Sequence, residues 1–116
     1  MKFRQRYLVF RLISQENLSE DDFKLLINSL ITKMRELYGV KGFIYGVPFL
    51  LKAHTEKKMG IIICNNKNVH MVRSALSTLK EVNGKEIIPY VVKVSGTRKK
   101  AINILQSYTP KDLITA

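Results

Sequence analysis

Two hydrophobic periodicities alternate along this chain, and their order leaves few folds open. Apolar side chains recur at every second position over residues 5–13, which predicts a β-strand, and then at helical spacing up to Tyr38. Two short strands, a second helical stretch and a further strand follow. The chain has 116 residues, the length of one ordinary domain. The predicted order is β-α-β-β-α-β with an added C-terminal helix.

Capping and turn residues set the bounds of these elements. The predicted elements are, in chain order, a strand at Gln5–Ile13, a helix from the N-cap Ser19 to about Tyr38 that Gly39 closes, a loop at Val40–Val47, strands at Phe49–His54 and Met59–Cys64 joined by the turn Thr55–Lys58, a helix at Val69–Val82 ended by Asn83-Gly84, a strand at Ile87–Ser95, and a last helix that Pro110 ends. We treat residues 1–116 as a single domain whose last residues, 111–116, form a loose tail.

This order is that of the ferredoxin-like α+β fold, in which two split β-α-β units form a four-stranded antiparallel sheet with two helices on one face. RNA-recognition motifs share this fold. The strand order 4-1-3-2 places the last strand at an edge, which agrees with Pro89 because proline cannot donate a ladder hydrogen bond. By strand parity, the sheet face opposite the two helices carries Tyr7, Val9, Arg11, Leu50, Lys52, His54, Ile61, Ile63, Val91 and Lys93.

The charge of the chain points to a polyanionic partner. Twenty Lys and Arg against nine Asp and Glu give a net charge of +11 and a pI near 10.0. Such an excess is typical of domains that bind nucleic acid, because neutralising phosphates releases counterions. A general adaptation for solubility is the alternative. No apolar run approaches the ~20 residues that span a bilayer, no signal peptide is visible, and one cysteine gives no disulfide, so we expect a cytoplasmic protein without membrane contact.

No constellation of residues predicts catalysis by the protein alone. His54 and His70 lack metal-ligand spacing with Cys64, so we expect no metal site and no cofactor, and Cys64 is interpreted as a small buried apolar residue. The adjacent Asp21 and Asp22 are explained by helix capping and the helix dipole. No phosphate-binding glycine loop follows a strand. We therefore predict no catalytic residues.

The predicted open sheet face has an aliphatic centre with cations around it. The third strand has no aromatic residue, which argues against base stacking as the main contact. A centre rimmed by Arg11, Lys52 and Lys93 suits a covering protein, an RNA backbone, or the chain's own last helix. The predicted protein-partner residues are Val9, Leu25, Ile31, Ile61 and Ile63.

The densest basic run, Arg98-Lys99-Lys100, opens the last helix directly after Ser95-Gly96-Thr97. Cations there oppose the helix dipole, so local stability does not explain them, whereas bound phosphates would. The first and fourth strands are neighbours, which brings Arg4 and Arg6 to the same side. We predict RNA contacts at Arg4, Arg6, Arg11, Lys52, Arg73, Lys93 and the segment Ser95, Gly96, Thr97, Arg98, Lys99 and Lys100, and we expect a bulky residue at Gly96 to displace the helix.

Four segments of the chain carry a family resemblance. They are Arg6–Phe10, Gly60–Cys64, Val72–Leu76 and Val94–Ala101, with Gly46-Val47-Pro48 as a weaker fifth. In this order they resemble the Pop-five family, archaeal ribonuclease P protein component 2. The Ser-Gly-Thr segment followed by basic residues is the most specific part. Family members carry a basic residue before the cysteine, where this chain has Ile63.

The resemblance implies a subunit of ribonuclease P, the ribonucleoprotein that removes the 5′ leader from precursor tRNA. In that family the RNA holds the catalytic Mg²⁺ ions and the protein supports the RNA fold. The expected partners are ribonuclease P RNA, precursor tRNA indirectly, and the TIM-barrel-like protein component 3 in a dimer of heterodimers. The alternatives are an independent RNA-binding domain, such as a ribosomal or chaperone protein, a small-molecule regulatory domain, and an acylphosphatase-like enzyme.

Overall fold

The computed structural model describes residues 4–109, and the predictions for Pro110 and for the tail at 111–116 lie outside them. The elements are β1 (Gln5–Ile13), α1 (Glu20–Tyr38), a 3₁₀ turn (Gly39–Phe43), β2 (Phe49–His54), β3 (Met59–Asn65), α2 (Val69–Ser77), β4 (Glu81–Val82), β5 (Lys85–Glu86), β6 (Ile88–Ser95) and α3 (Arg98–Ser107). Between residues 4 and 109 no helix is long and apolar enough to cross a membrane.

The main sheet has four antiparallel strands in the order β2-β3-β1-β6. Read from β6 to β2, these are the fourth, first, third and second of the predicted strands, which is the predicted order 4-1-3-2. With the helices, the sheet forms the predicted ferredoxin-like α+β fold. Pro89 lies opposite Leu12 on the edge strand β6, where its missing amide hydrogen costs no ladder bond.

Each face of the sheet has its own hydrophobic core. On one face, Leu8, Phe10, Leu12 and Ile62 pack against α1 and α2. On the other face, Val9, Met59 and Ile61 pack against Ala101 and Leu105 of α3, and all five side chains are fully buried. Of the three coverings that the sequence left open for this face, the structure contains the chain's own last helix, so the centre of the face is not available to a partner.

Both edge strands contain a β-bulge, and the bulges overturn part of the predicted parity. In β2 the extra residue is Leu51, between Leu50 opposite Ile62 and Lys52 opposite Ile61. Leu50 therefore packs towards α1 and α2, whereas Phe49, opposite Ile63, belongs to the face that carries α3. In β6 the extra residue is Val92, which turns Val91 towards the first core as well. Simple alternation fails wherever one strand holds an extra residue.

The second helix is shorter than predicted. It ends at Ser77 instead of Val82, and residues 81–86 form a small hairpin, β4 and β5. Asn83 and Gly84 both have positive φ, the conformation that a two-residue hairpin turn requires. The same dipeptide ends helices, which is why the sequence favoured a longer helix.

A buried carboxylate explains why the hairpin forms. Asp22 is 1% exposed and completes the predicted capping box with Ser19 at the start of α1. Its carboxylate accepts hydrogen bonds from Lys85 Nζ at 2.7 Å and from Asn83 Nδ2 at 3.0 Å. The Lys85 hydrogen bond, helped by the Ser19 backbone amide and by Asn83, holds the pKa of Asp22 well below its usual range despite burial. The hairpin is thus fastened to the N-terminus of α1.

A lysine from the β2–β3 turn holds the other end of α3. Lys57 Nζ donates to the backbone oxygens of Leu105 at 3.0 Å and Gln106 at 2.6 Å. A cation at the C-terminal end of a helix satisfies free carbonyl groups and complements the dipole. The contact, together with the apolar face of α3, fixes this helix across the sheet.

Candidate nucleic-acid interface

Among residues 4–109, seven of the eight acidic side chains lie at one end of the sheet. Every Asp and Glu between residues 4 and 109, except Glu36, lies where β1 ends, on the loops, turns and helix start at that end. Glu36, on the last turn of α1, pairs with Lys33 at 3.1 Å. The end where β1 begins and β6 finishes carries Arg4, Arg6, Lys67, Arg98, Lys99 and Lys100. We call it the basic end. The positive potential of the molecule is therefore concentrated at the basic end.

The N-terminus of α3 is built as the sequence predicted. Thr97 is its N-cap, and the Thr97 hydroxyl accepts from the backbone amide of Lys100 at 3.3 Å. The Ser95 hydroxyl accepts from the Thr97 amide and donates to the Thr97 carbonyl, so both hydroxyls act inside the turn. These bonds position Arg98, Lys99 and Lys100, which are all exposed in the first turn. The cluster therefore sits on an ordered helix start.

The first and last strands bring Arg4 and Arg6 to this cluster. Tyr7 lies opposite Ser95, and a Cβ placed on Gly96 would lie 3.8 Å from Arg6 Nη1. That distance is an ordinary contact, and Gly96 does not have positive φ. The structure therefore gives no support to the prediction that a larger residue at Gly96 displaces the helix.

The other predicted RNA-contacting cations are not part of this cluster. Arg11 is only 9% exposed on the face under α3, so it does not belong to an exposed rim. Lys52 and Lys93 are exposed, but they lie on the two opposite edge strands. Arg73 is exposed on α2, on the face of the sheet away from α3. The structure thus groups Arg4 and Arg6 with α3 and leaves Lys52, Lys93 and Arg73 scattered.

A groove of about 700 Å³ opens at the basic end, and we call it the end groove. Its lining includes Arg4, Tyr7, Tyr45, Phe49, Ile63 and Gly96. Within the described residues, its lining contains no acidic side chain. Sequence reasoning missed Tyr45 and Phe49, although three aromatic residues within seven positions, Phe43, Tyr45 and Phe49, were a signal. The parity predicted for Leu50, Lys52 and His54 implied that Phe49 faces α1 and α2, and the bulge at Leu51 reverses this.

The predicted protein-partner residues do not form one surface. Val9 and Ile61 are fully buried under α3, and Ile63 is 6% exposed at the bottom of the end groove. Ile31 is half-buried against the first core, whereas Leu25 is exposed on another side of α1. In this structure the five residues offer no common exposed face, because α3 and the first core bury most of them.

Three exposed apolar residues lie within eight sequence positions where α1 leads into β2. Leu37 is 49% exposed, Val40 84% and Ile44 61%. We call these three the connection patch. The sequence predicted a loop at Val40–Val47 and therefore gave no sign of this patch. In the structure, a 3₁₀ turn at Gly39–Phe43 orders the chain there. An exposed apolar cluster on ordered backbone is typical of protein contacts.

The polar residues considered for chemistry have structural roles. Burial raises the pKa of the Cys64 thiol to about 12, although Arg6 opposes the shift, so the thiolate is disfavoured. His54 Nδ1 accepts from the Lys57 amide at 3.3 Å and orders the β2–β3 turn. Between residues 4 and 109, no three His, Cys, Asp or Glu side chains are grouped to hold a metal ion.

Comparisons with known proteins confirm the resemblance found in the sequence. A family model described as the Rpp14/Pop5 family matches residues 6–106. Ribonuclease P protein component 2 of Pyrococcus horikoshii is 34% identical over 102 residues, which cover 86% of this chain and 81% of the relative. The protein of the same name from Methanosarcina acetivorans is 35% identical over 120 residues, covering 94% and 80%. That of Archaeoglobus fulgidus is 29% identical over 100 residues, covering 86% of each. The chain belongs to the Rpp14/Pop5 family.

Proposed function

We propose that this chain is a protein subunit of ribonuclease P and that its basic end binds the backbone of the ribonuclease P RNA. The observation that carries the proposal is the grouping of Arg4, Arg6 and the first turn of α3 at one end, while seven of the eight acidic side chains of residues 4–109 lie at the other. The names of the relatives, ribonuclease P protein component 2, support ribonuclease P as the particle. In this proposal the site residues bind phosphate and none is catalytic.

The mechanism is electrostatic support of an RNA that carries out the cleavage. Cations held on an ordered helix start reduce repulsion between neighbouring phosphates, and they do so without a further loss of backbone entropy. The RNA then holds its folded geometry at a lower Mg²⁺ concentration. In this proposal the RNA coordinates the Mg²⁺ ions. The protein contacts precursor tRNA, whose 5′ leader is removed, only indirectly, as part of the assembled particle.

The protein partner in this proposal is component 3, within a dimer of heterodimers. The connection patch supports a protein contact, because Leu37, Val40 and Ile44 are exposed apolar side chains on one short segment. Burying such a side chain is worth roughly 1.5–3 kcal/mol, so three of them can anchor an interface. Replacing Val40 and Ile44 by Ser should weaken binding to component 3 in calorimetric titration, and unchanged affinity would contradict this part of the proposal.

The RNA contact is tested by the salt dependence of binding. In the variant with Arg98, Lys99 and Lys100 all replaced by Ala, we expect weaker association with the RNA and an unchanged fold. The slope of log affinity against log salt should fall in magnitude by roughly 2–3, because each phosphate contact accounts for about 0.7–0.9 of a unit. The matched control replaces Lys33 and Lys41, which should change the slope less. An unchanged slope in the triple variant would show that the cluster is only a solvated surface.

An independent RNA-binding domain is the alternative, favoured by the same basic end. The two functions differ in what the purified protein does. As a ribonuclease P subunit, it should not cleave precursor tRNA alone, but it should lower the Mg²⁺ requirement when combined with the RNA and component 3. Cleavage by the protein without RNA, or no change in the Mg²⁺ requirement, would contradict the proposal.

A further inference from the structure

We propose that the end groove binds an unpaired nucleotide of RNA, with its base on an aromatic platform that Phe49 and Tyr7 form around Ile63. This inference rests on the proposed function, because it assumes that RNA reaches the basic end. It adds a site for a base, where the proposed function requires only contacts to phosphate. Nothing in the chain's charge alone requires such a site.

The platform follows from the register of three strands. Phe49 of β2 lies opposite Ile63 of β3, and Ile63 lies opposite Tyr7 of β1. Neighbouring strands are about 4.8 Å apart, so the two aromatic residues flank Ile63 across roughly 10 Å of sheet. All three belong to the face that carries α3, and Ile63 is not part of the core under that helix. This row of the sheet is therefore left as the floor of the end groove.

Phe49 is accessible to a ligand, and contacts within the protein hold Tyr7 in place. Phe49 is 49% exposed, which is high for a phenylalanine in a strand. Tyr7 is half-buried against the α3 core, and its hydroxyl contacts Gln5 Oε1 at 3.2 Å. Tyr45 adds a third ring to the lining and has the Lys67 ammonium 5.5 Å from its centroid. The groove volume of about 700 Å³ lies within the range of small-ligand sites.

The surrounding charge identifies the occupant as a nucleotide and not as a neutral aromatic ligand. Arg4 belongs to the groove lining, and Gly96 at its wall leads directly into the three exposed cations of α3. Sites for single-stranded nucleic acid combine these two features, a positive track for the backbone and aromatic rings on which bases stack. A base in a duplex is already stacked and paired, so the groove selects unpaired nucleotides.

The experiment compares two RNA probes of similar phosphate number, a single-stranded hexamer containing 2-aminopurine and a short hairpin whose stem is closed by a non-nucleotide linker, so that the hairpin has no unpaired base. The full chain is titrated with each at several salt concentrations. Phe49→Ala should weaken hexamer binding by roughly 5- to 150-fold, the effect of losing one stacked base, and should leave the salt slope unchanged because no charge is removed. It should also abolish the quenching of 2-aminopurine fluorescence, and hairpin binding should stay the same.

Three further variants separate stacking from other effects. Phe49→Leu keeps an apolar side chain without the ring and should lose the quenching, whereas Phe49→Tyr should retain it. Tyr90→Ala is the matched control, because Tyr90 is also 49% exposed but lies on β6 away from the groove. Thermal melting checks that each variant folds.

The outcomes distinguish this inference from the proposed function. If Phe49→Ala and Tyr90→Ala bind the hexamer equally, or if Phe49→Ala weakens hexamer and hairpin alike, the nucleotide site is refuted while the basic end can still bind RNA. The same holds if the unaltered chain binds only the hairpin. If Arg98, Lys99 and Lys100 can be replaced by Ala without weakening either probe, the proposed RNA contact itself fails.

Discussion

Two lysines at one end of the sheet and three cations at the other have opposite roles. At the end where β1 finishes, Lys85 binds buried Asp22 and Lys57 binds the last carbonyl groups of α3. At the basic end, Arg98, Lys99 and Lys100 extend from a helix start whose hydroxyl caps are already satisfied. Lys57 and Lys85 therefore stabilise the fold at one end, whereas the three cations of the α3 start face solvent at the other. Net charge alone, +11, does not reveal this division.

The largest expected effect on stability comes from removing the buried carboxylate of Asp22, which tests whether Lys85 has a structural role. Asp22→Ala leaves Lys85 and Asn83 without their acceptor and removes half of the capping box, so we expect a loss of about 3 kcal/mol in the free energy of unfolding. Urea denaturation measures it. The exposed neighbour provides the control, since Asp21→Ala should change stability by less than about 0.5 kcal/mol. Equal effects of the two substitutions would contradict the structural role of Asp22.

Acid should act through the same carboxylate. The folded pKa of Asp22 lies below its unfolded value, so its contribution is complete above pH ~4 and is lost as the pH falls further through the folded pKa. Asp22→Asn should therefore flatten the decline of stability between about pH 4 and pH 2. The measurement is the urea midpoint at each pH, and a variant as acid-sensitive as the parent would disprove the assignment.

The next largest loss of stability is expected for a substitution at Gly60, in the middle of the sheet. A Cβ on Gly60 would lie 2.8 Å from Phe10 Cζ and 3.0 Å from the Lys52 backbone oxygen. Gly60→Ala should therefore cost about 1–3 kcal/mol through overpacking. Gly96→Ala, at the basic end, should change stability by less than about 0.5 kcal/mol, because its Cβ meets only Arg6 at 3.8 Å. Thermal unfolding of the pair decides whether the basic end is as tightly packed as the centre.

The lysine that holds α3 should have a smaller and more local effect. Lys57→Met keeps the aliphatic stem and removes the bonds to Leu105 and Gln106, which should cost about 1 kcal/mol. Amide hydrogen exchange should accelerate in α3 more than in β1 or β3, because only the helix loses an anchor. Uniform acceleration throughout the domain would show that Lys57 does not act on α3 alone.

The smallest effect on stability belongs to the basic end itself. Replacing Arg98, Lys99 and Lys100 by Ala should leave the free energy of unfolding within about 0.5 kcal/mol of the parent, or slightly higher, since these cations oppose the helix dipole. A clear loss of stability would mean that the cluster serves the fold, and the contrast between the two ends would disappear.

Local patterns predicted the elements well where one interpretation of the pattern was possible. The alternation in β1 and the capping box at Ser19 and Asp22 are local signals, and the structure contains both. Asn83-Gly84 suits a helix end and a hairpin turn equally, and the choice depends on Asp22, 61 residues away from Asn83 in the chain. Local sequence alone therefore could not determine it.

The candidate site was predicted only in part for a similar reason. The cluster on α3 and its neighbours Arg4 and Arg6 follow from adjacent strands, which the fold order supplies. The end groove depends on a one-residue bulge at Leu51, and no residue type in β2 predicts that bulge. The covering of Val9 and Ile61 depends on whether an open face meets another chain or its own last helix, and both choices bury the same apolar side chains.

The two bulges have a further consequence for how copies of this protein meet in a crowded solution. The extra residues Leu51 and Val92 sit on β2 and β6, which are the two outer strands of the sheet. A long regular outer strand invites another copy to add its own strand and begin a filament. Here each outer ladder is interrupted near its middle, exposed Lys52 and Lys93 stand beside the interruptions, and Pro89 removes one more donor from β6. These features protect the sheet against edge-to-edge growth at both sides, while its three helices cover the two faces and the cations of the α3 start stay exposed.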